Sequence, residues 1–188
     1  MSNRPIIRDA ERRDIPEITS IYAIQVREGL ASFELQPPSE AEMAQRLCHI
    51  QEAGLPYLVA EVEQRIAGYT YASYYRPRPA YCHTVENSVY VASWAQQRGV
   101  GRMLLAELIE RCEAVGKRQM IAVIGDSGNV ASIALHEAAG FRHVGVLQSV
   151  GFKHDQWVDS VLMQRRFRAG RQSQAGCAKQ RPPACGQR

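Results

Sequence analysis

The sequence predicts a mixed α/β fold, a mostly antiparallel central sheet flanked by helices. Three observations lead there. Short runs rich in β-branched and aromatic residues alternate with stretches of helical apolar period. Capping residues and glycines punctuate the helical stretches. One strand runs through a glycine-containing loop directly into a helix.

Ile6, Ile7 and Arg8 read as a first strand. Asp14-Ile15-Pro16-Glu17 has the form of a capping box, and Ile18, Ile21, Tyr22 and Val26 continue at helical spacing. Ser39-Glu40-Ala41-Glu42 opens a second helix that runs to Ala53, with Gly54 as its stop. Residues 57–62 and 66–75 read as a hairpin across Glu63-Gln64-Arg65. Arg76-Pro77-Arg78-Pro79 must end that strand, because proline lacks a ladder donor. Residues 84–91 form the next strand. Leu104, Leu105, Leu108, Ile109 and Cys112 give a helix one apolar face, closed by Gly116. Residues 120–124 are a buried strand, and Asp126-Ser127-Gly128-Asn129 opens a last helix that closes at Gly140-Phe141. Residues 144–150 and 158–163 complete the sheet. The predicted order is β-α-α-β-β-β-α-β-α-β-β.

The chain has 188 residues, with 23 Lys and Arg against 19 Asp and Glu, a net charge of +4. That length suits one domain with a true core. Five of the positive charges, Arg168, Arg171, Lys179, Arg181 and Arg188, fall in residues 168–188, where no acid occurs. Residues 1–167 therefore carry −1 and are read as the domain. The basic tail, without Val, Ile, Leu or an aromatic, is read as disordered. With no aromatic to stack bases it is a poor nucleic-acid arm. No apolar run approaches the roughly 20 residues that span a bilayer, and the start lacks an export signal. A cytoplasmic location is expected, with no membrane partner. Five cysteines, Cys48, Cys82, Cys112, Cys177 and Cys185, are then expected as reduced thiols. Cys48-His49 and Cys82-His83 have no partner at metal-ligand spacing, so no metal is expected.

The most informative stretch is Val89-Tyr90-Val91, then Gln96-Gln97-Arg98-Gly99-Val100-Gly101-Arg102 leading into a helix. Free N–H groups in a first helical turn suit an anion, and glycine lets the backbone approach one. A plain helix start has the same form. No Lys-Ser/Thr follows, and Leu104 stands where a dinucleotide fingerprint needs its third glycine. Glu86 interrupts a β-forming run. It is either a solvent-facing carboxylate or a general base with a proton affinity raised by burial. Asn129 is most simply a helix N-cap, and His136 follows it seven residues on. Arg76 and Arg78 are either solvated or a fork for a carboxylate. Tyr90 is either core or a lining aromatic.

Gln-x-x-Gly-x-Gly after a strand, Asn129 after the next strand, then His136 and Gly140-Phe141, resemble the GNAT acetyltransferase superfamily. Thr84 to Val91, Ala122 to Gly125, Leu135 to Phe141 and Gly151 to Asp159 are similar to the phosphinothricin N-acetyltransferase group within it. The resemblance covers about residues 6–167 and implies the GNAT fold. It implies acetyl-CoA as co-substrate, held by Val89, Tyr90, Val91, the loop Gln96, Gln97, Arg98, Gly99, Val100, Gly101 and Arg102, and Asn129. It implies a small amino-acid-like amine as acceptor, of the phosphinothricin, methionine sulfoximine or methionine sulfone type. Phe33, Glu34, Arg76, Arg78 and Glu86 would contact that acceptor. Glu86 would act as base and His136 would handle the proton at sulfur. A homodimer is common in the family. Gln97 departs from the pattern, which often has glycine there. The expected reaction is direct attack, with strand N–H groups around Val89–Val91 polarising the thioester carbonyl. Acetylation of protein N-termini, and a non-catalytic acetyl-CoA sensor, are the alternatives.

Overall fold

The computed structural model describes residues 4–167. The basic tail lies outside them. Seven strands form one sheet: β1 (Ile6–Asp9), β2 (Tyr57–Val62), β3 (Arg65–Tyr74), β4 (Thr84–Val91), β5 (Gln119–Gly125), β6 (Arg142–Lys153) and β7 (Gln156–Arg166). Their spatial order is β1-β2-β3-β4-β5-β7-β6, antiparallel throughout except for the parallel pair β4 and β5. Four helices cover it: α1 (Ile15–Glu28), α2 (Glu40–Glu52), α3 (Val100–Ala114) and α4 (Val130–Ala138).

Strand alternation divides the core in two. Tyr57, Val59 and Tyr69 face α1 and α2, packing with Ile18, Tyr22, Val26, Met43 and Leu47. Leu58, Ala72 and Val85 face the other way, against Leu105, Leu108 and Cys112 of α3 and Met120 of β5. Leu104, Leu105 and Leu108 are fully buried, each contributing about 1.5–3 kcal/mol.

The predicted elements are present, with instructive differences at their ends. Ser39 caps α2 as expected, its hydroxyl accepting from the Glu42 N–H at 3.2 Å. Asp14 stands at the N-cap of α1 but makes no side-chain cap bond. Its carboxylate instead accepts from Arg8 at 2.7 and 2.8 Å and from the Glu11 N–H at 2.8 Å. Glu17, the expected partner in that box, accepts from the Ile66 N–H of β3 at 3.0 Å. Tertiary partners thus displace a local cap. The β6–β7 hairpin is longer than the apolar runs that announced it. It turns at His154-Asp155, both at positive φ, the geometry of a tight two-residue hairpin. Cys48 and Cys112 are free thiols, and Cys177 and Cys185 lie outside the described residues.

Candidate active site

The site begins where two strands part. The register between β4 and β5 ends at Asn87↔Ala122. The last four residues of β4, 88–91, continue beside β3 alone, with pairs Ser88↔Tyr71, Val89↔Thr70, Tyr90↔Tyr69 and Val91↔Gly68. Parallel strands that part expose backbone groups along the gap. Beyond β4, residues 96–99 form an exposed loop into α3. Gly99 caps α3 at φ 78°, a conformation that suits glycine, and no side chain caps the helix. No acid occupies its first turn, so the N-terminal N–H groups are available to an anion. A Cβ on Gly101 would lie in ordinary contact, 3.4 Å from Val91 and 3.5 Å from Leu135, where α3 meets β4 and α4. Arg98 and Arg102 do not share a hollow: Arg98 stands with Trp94 and Arg65, Arg102 with Leu135 and Arg165.

Alternation along β4 then sorts the chemistry onto two faces. Glu86, Ser88 and Tyr90 face α1 and α2, opposite Ser73, Tyr71 and Tyr69 of β3. Glu86 is half-buried, and burial alone raises its carboxyl above the usual range. No neighbouring cation holds its charge, which is the setting of a general base. On the same side of the sheet, beneath α2, lies a pocket of about 430 Å3 lined by Tyr22, Tyr57, Tyr69, Tyr71, Ser73 and Arg46, among others; Glu86 does not line it, though its ladder partner Ser73 does. Thr70 donates to the Ser88 carbonyl at 2.7 Å. Tyr22 bonds Ser32 at 2.9 Å and donates to Glu34 at 3.0 Å. Arg46 donates to Glu34 at 2.8 Å and to Glu42 at 2.5 Å.

The opposite face carries Asn87. Its side-chain amide meets Nε2 of His136 at 2.9 Å, and Nδ1 of His136 meets the Ser132 carbonyl at 2.8 Å. A carbonyl only accepts, so Nδ1 carries the proton and Nε2 accepts from Asn87. The ring is 4% exposed. Burial lowers its proton affinity, and the Ser132 bond recovers only part of that. His136 is therefore neutral, doubly engaged and on the other side of the sheet from Glu86. Both ring nitrogens are engaged between α4 and β4. Asn129 caps α4, accepting from the Ser132 N–H at 3.2 Å.

The remaining expected residues are dispersed. Arg76 and Arg78 are exposed past the end of β3, with Arg76 stacked on Tyr75 at 5.1 Å, and neither lines the pocket. Phe33 packs its ring over Gly151 of β6, where a Cβ would lie 2.8 Å away. Glu34 anchors Arg46 and Tyr22. Sequence reasoning missed Arg46, Tyr57, Tyr69, Tyr71 and Asn87. The period-2 tyrosines of β3 signalled a shared face; a lone arginine on α2 gave no such signal. Among the nucleophiles, the Cys112 thiol is buried and pushed up to about 12, which makes it inert. Among the described residues no cluster of three metal-ligating side chains occurs.

Residues 7–162 match the acetyltransferase (GNAT) domain family. The chain is 55% identical over 165 residues to a phosphinothricin N-acetyltransferase of Alcaligenes faecalis, covering 88% of this chain and 82% of that protein. It is 38% identical over 159 residues to an L-methionine sulfoximine/L-methionine sulfone acetyltransferase of Pseudomonas aeruginosa, covering 84% and 92%. A crystal structure of a phosphinothricin acetyltransferase from Sinorhizobium meliloti in complex with acetyl-CoA superposes with a TM-score of 0.84 at 47% identity, covering 86% and 88%.

Proposed function

The chain belongs to the GNAT acetyltransferase family, and from that we propose that it acetylates the α-amine of a small amino-acid-like substrate by direct attack on acetyl-CoA. The acceptors are of the phosphinothricin, methionine sulfoximine or methionine sulfone type, as the names of its relatives suggest. The observation that carries the reading is Glu86: half-buried, raised in proton affinity, and placed on the pocket face beside the point where β4 leaves β5.

Acetyl-CoA supplies the thioester. The uncapped first turn of α3 and the loop 96–99 fit its pyrophosphate. The gap between β4 and β5 fits its extended arm, and N–H groups around Val89–Val91 that turn into this gap would polarise the thioester carbonyl. Glu86 takes the proton from the ammonium, directly or through water, so that the amine can attack. His136 keeps Asn87 and α4 in register with the gap and stays neutral. With no fixed acid on that face, the departing sulfur takes its proton from water. Arg76 and Arg78, exposed just past the end of β3, would meet the acceptor carboxylate.

Residues 4–167 act as one domain. The hairpin β6–β7 exposes Val144, Val146, Leu147, Val150, Phe152 and Trp157, each 46% to 67% accessible. An edge strand bearing such a patch supports a homodimer. Phe33 rests on Gly151 of the same hairpin. No helix among the described residues is long and apolar enough to cross a membrane. The near-neutral charge of residues 1–167 favours a small molecule over nucleic acid.

The test is release of CoA thiol with phosphinothricin, methionine sulfoximine, methionine sulfone, ordinary amino acids and a short peptide. Activity confined to free amino-acid-like amines supports the proposal. Activity on the peptide alone overturns the acceptor assignment, and no thiol release from any amine overturns catalysis.

A further inference from the structure

The connection between α1 and α2 is pinned along residues 30–34. The carbonyl oxygens of Leu30 and Ala31 press on Gly125, the last residue of β5, where a Cβ would lie 2.5 and 2.9 Å from them. The Ser32 hydroxyl bonds the Tyr22 hydroxyl at 2.9 Å, and the Tyr22 ring packs edge-on against Tyr90 of β4 with centroids 5.0 Å apart. The Phe33 ring lies over Gly151 of β6, and Glu34 accepts from Tyr22 and Arg46. The segment is a strap tied to both strands that part, to β4 through Tyr22 and Tyr90 and to β5 through Gly125.

Strand alternation shows which face it crosses. Met120, Ala122 and Ile124 of β5 pack into the core under α3. Gly125 therefore looks the other way, to the side of Glu86, whose neighbour in β5 is Ile121. Gly125 pairs with Ser160 of β7, while Gly151 and Lys153 of β6 pair with Val158 and Gln156 of the same strand. Those three β7 positions are two apart, so Gly151 and Lys153 share the Glu86 face.

Lys153 supplies a further anchor. Lysine is almost never fully buried unless paired, and this residue is 3% exposed. Its Nζ donates to the Ser32 carbonyl at 2.6 Å, 121 positions away in sequence. Burial lowers the proton affinity of Lys153, and the Glu34 carboxylate of the strap opposes that. An apolar chain of similar length would fill the same space without the cost of a buried charge. What the ammonium adds is the bond to Ser32.

We propose that Lys153 is a positioning residue for the acceptor: by holding the Ser32 carbonyl it fixes the strap 30–34 across the parting of β4 and β5, on the Glu86 face. This rests on the proposed reaction, whose acceptor enters on that face. Acetyl-CoA is held elsewhere, at the loop 96–99 and the start of α3, so the strap governs one substrate and not the other.

Lys153→Met keeps the length of the side chain and removes the donor. Gly151→Ala leaves Lys153 intact and displaces the strap from its other anchor, since the new Cβ would lie 2.8 Å from the Phe33 ring. With the most active acceptor of the thiol-release panel, acceptor KM rises by roughly tenfold in each variant. The kcat stays within about twofold and the Kd for acetyl-CoA is unchanged. Amide hydrogen exchange over residues 30–34 quickens in both variants and is unchanged in β2 and α3. An unchanged acceptor KM in Lys153→Met overturns the proposal, whatever the exchange shows. A weaker acetyl-CoA Kd, or exchange that quickens throughout the sheet, also overturns it, for Lys153 would then support the fold at large. Should the wild type acetylate no amine, the reaction falls, and exchange over residues 30–34 still decides whether Lys153 holds the strap.

Discussion

Glu86 sits where a base is useful and a charge is costly. Its proton affinity is raised by burial. Stability from such a group is fully present below its unfolded value and is lost as pH rises through the higher folded value. At pH 7–8 the ionised carboxylate therefore works against the fold. Glu86→Gln should lower acetylation by about a hundredfold or more, while its melting temperature at pH 8 equals or exceeds that of the wild type. A stable variant with full activity would remove Glu86 as the base. His136 has the opposite sign. Its folded value lies below the ordinary 6.5, so its contribution is present above 6.5 and is lost as pH falls towards the folded value. Melting curves between pH 7 and pH 5 should show a loss of stability that is blunted in His136→Gln. The acid in β4 was legible as an interruption of a β-forming run. The partner of His136 was not, because Asn87 lies 49 positions away and only packing decides which face α4 covers. Arg46 was invisible for the same reason: its exposure is set by Glu34, on a different segment.

At the scale of elements, the loop into α3 holds a local conflict. Gln97 has φ 58°, in the left-handed region that costs a non-glycine residue about 1–2 kcal/mol. The geometry explains why glycine is common there in the resembling pattern. Gln97→Gly relieves that strain but frees the unfolded chain, which returns about 0.5–1 kcal/mol. The net should be about 0.5 kcal/mol, or roughly 1–2 °C in melting temperature, with the KM for acetyl-CoA no higher than in the wild type. A clear loss of stability would show that the glutamine side chain has a role of its own. Elements with strong local signals were read closely: β2, β4 and the start of α2 fall where capping and β-propensity placed them. The ends of β6 and β7 were not, since polar residues such as Arg142 and Gln164 extend them through pairing across the hairpin.

Residues 4–167 form a sheet in which β4 parts from β5 and the outermost strand β6 carries exposed apolar side chains. The fold class and the phosphate-type loop were legible because they depend on sequence order. The uncovered edge became visible only once β6 proved to be the outermost strand. If two copies meet there, replacing Val146 and Phe152 by lysine should convert a dimer to a monomer in light-scattering chromatography. The thiol-release assay would then show whether the acceptor KM depends on that contact. A wild-type chain that elutes as a monomer at micromolar concentration would remove the homodimer.

The strand β4 also behaves as a two-column register. Even-numbered positions 86, 88 and 90 look toward α1 and α2, the side proposed for the acceptor, and odd-numbered 87, 89 and 91 toward α3 and α4. Redesign of the acceptor can run down one column and leave the other untouched. A deletion of one residue ahead of Glu86 cannot, for it would exchange the columns and present each ligand with the other's wall. Point changes in this strand are thus separable by parity, whereas single-residue insertions and deletions are not.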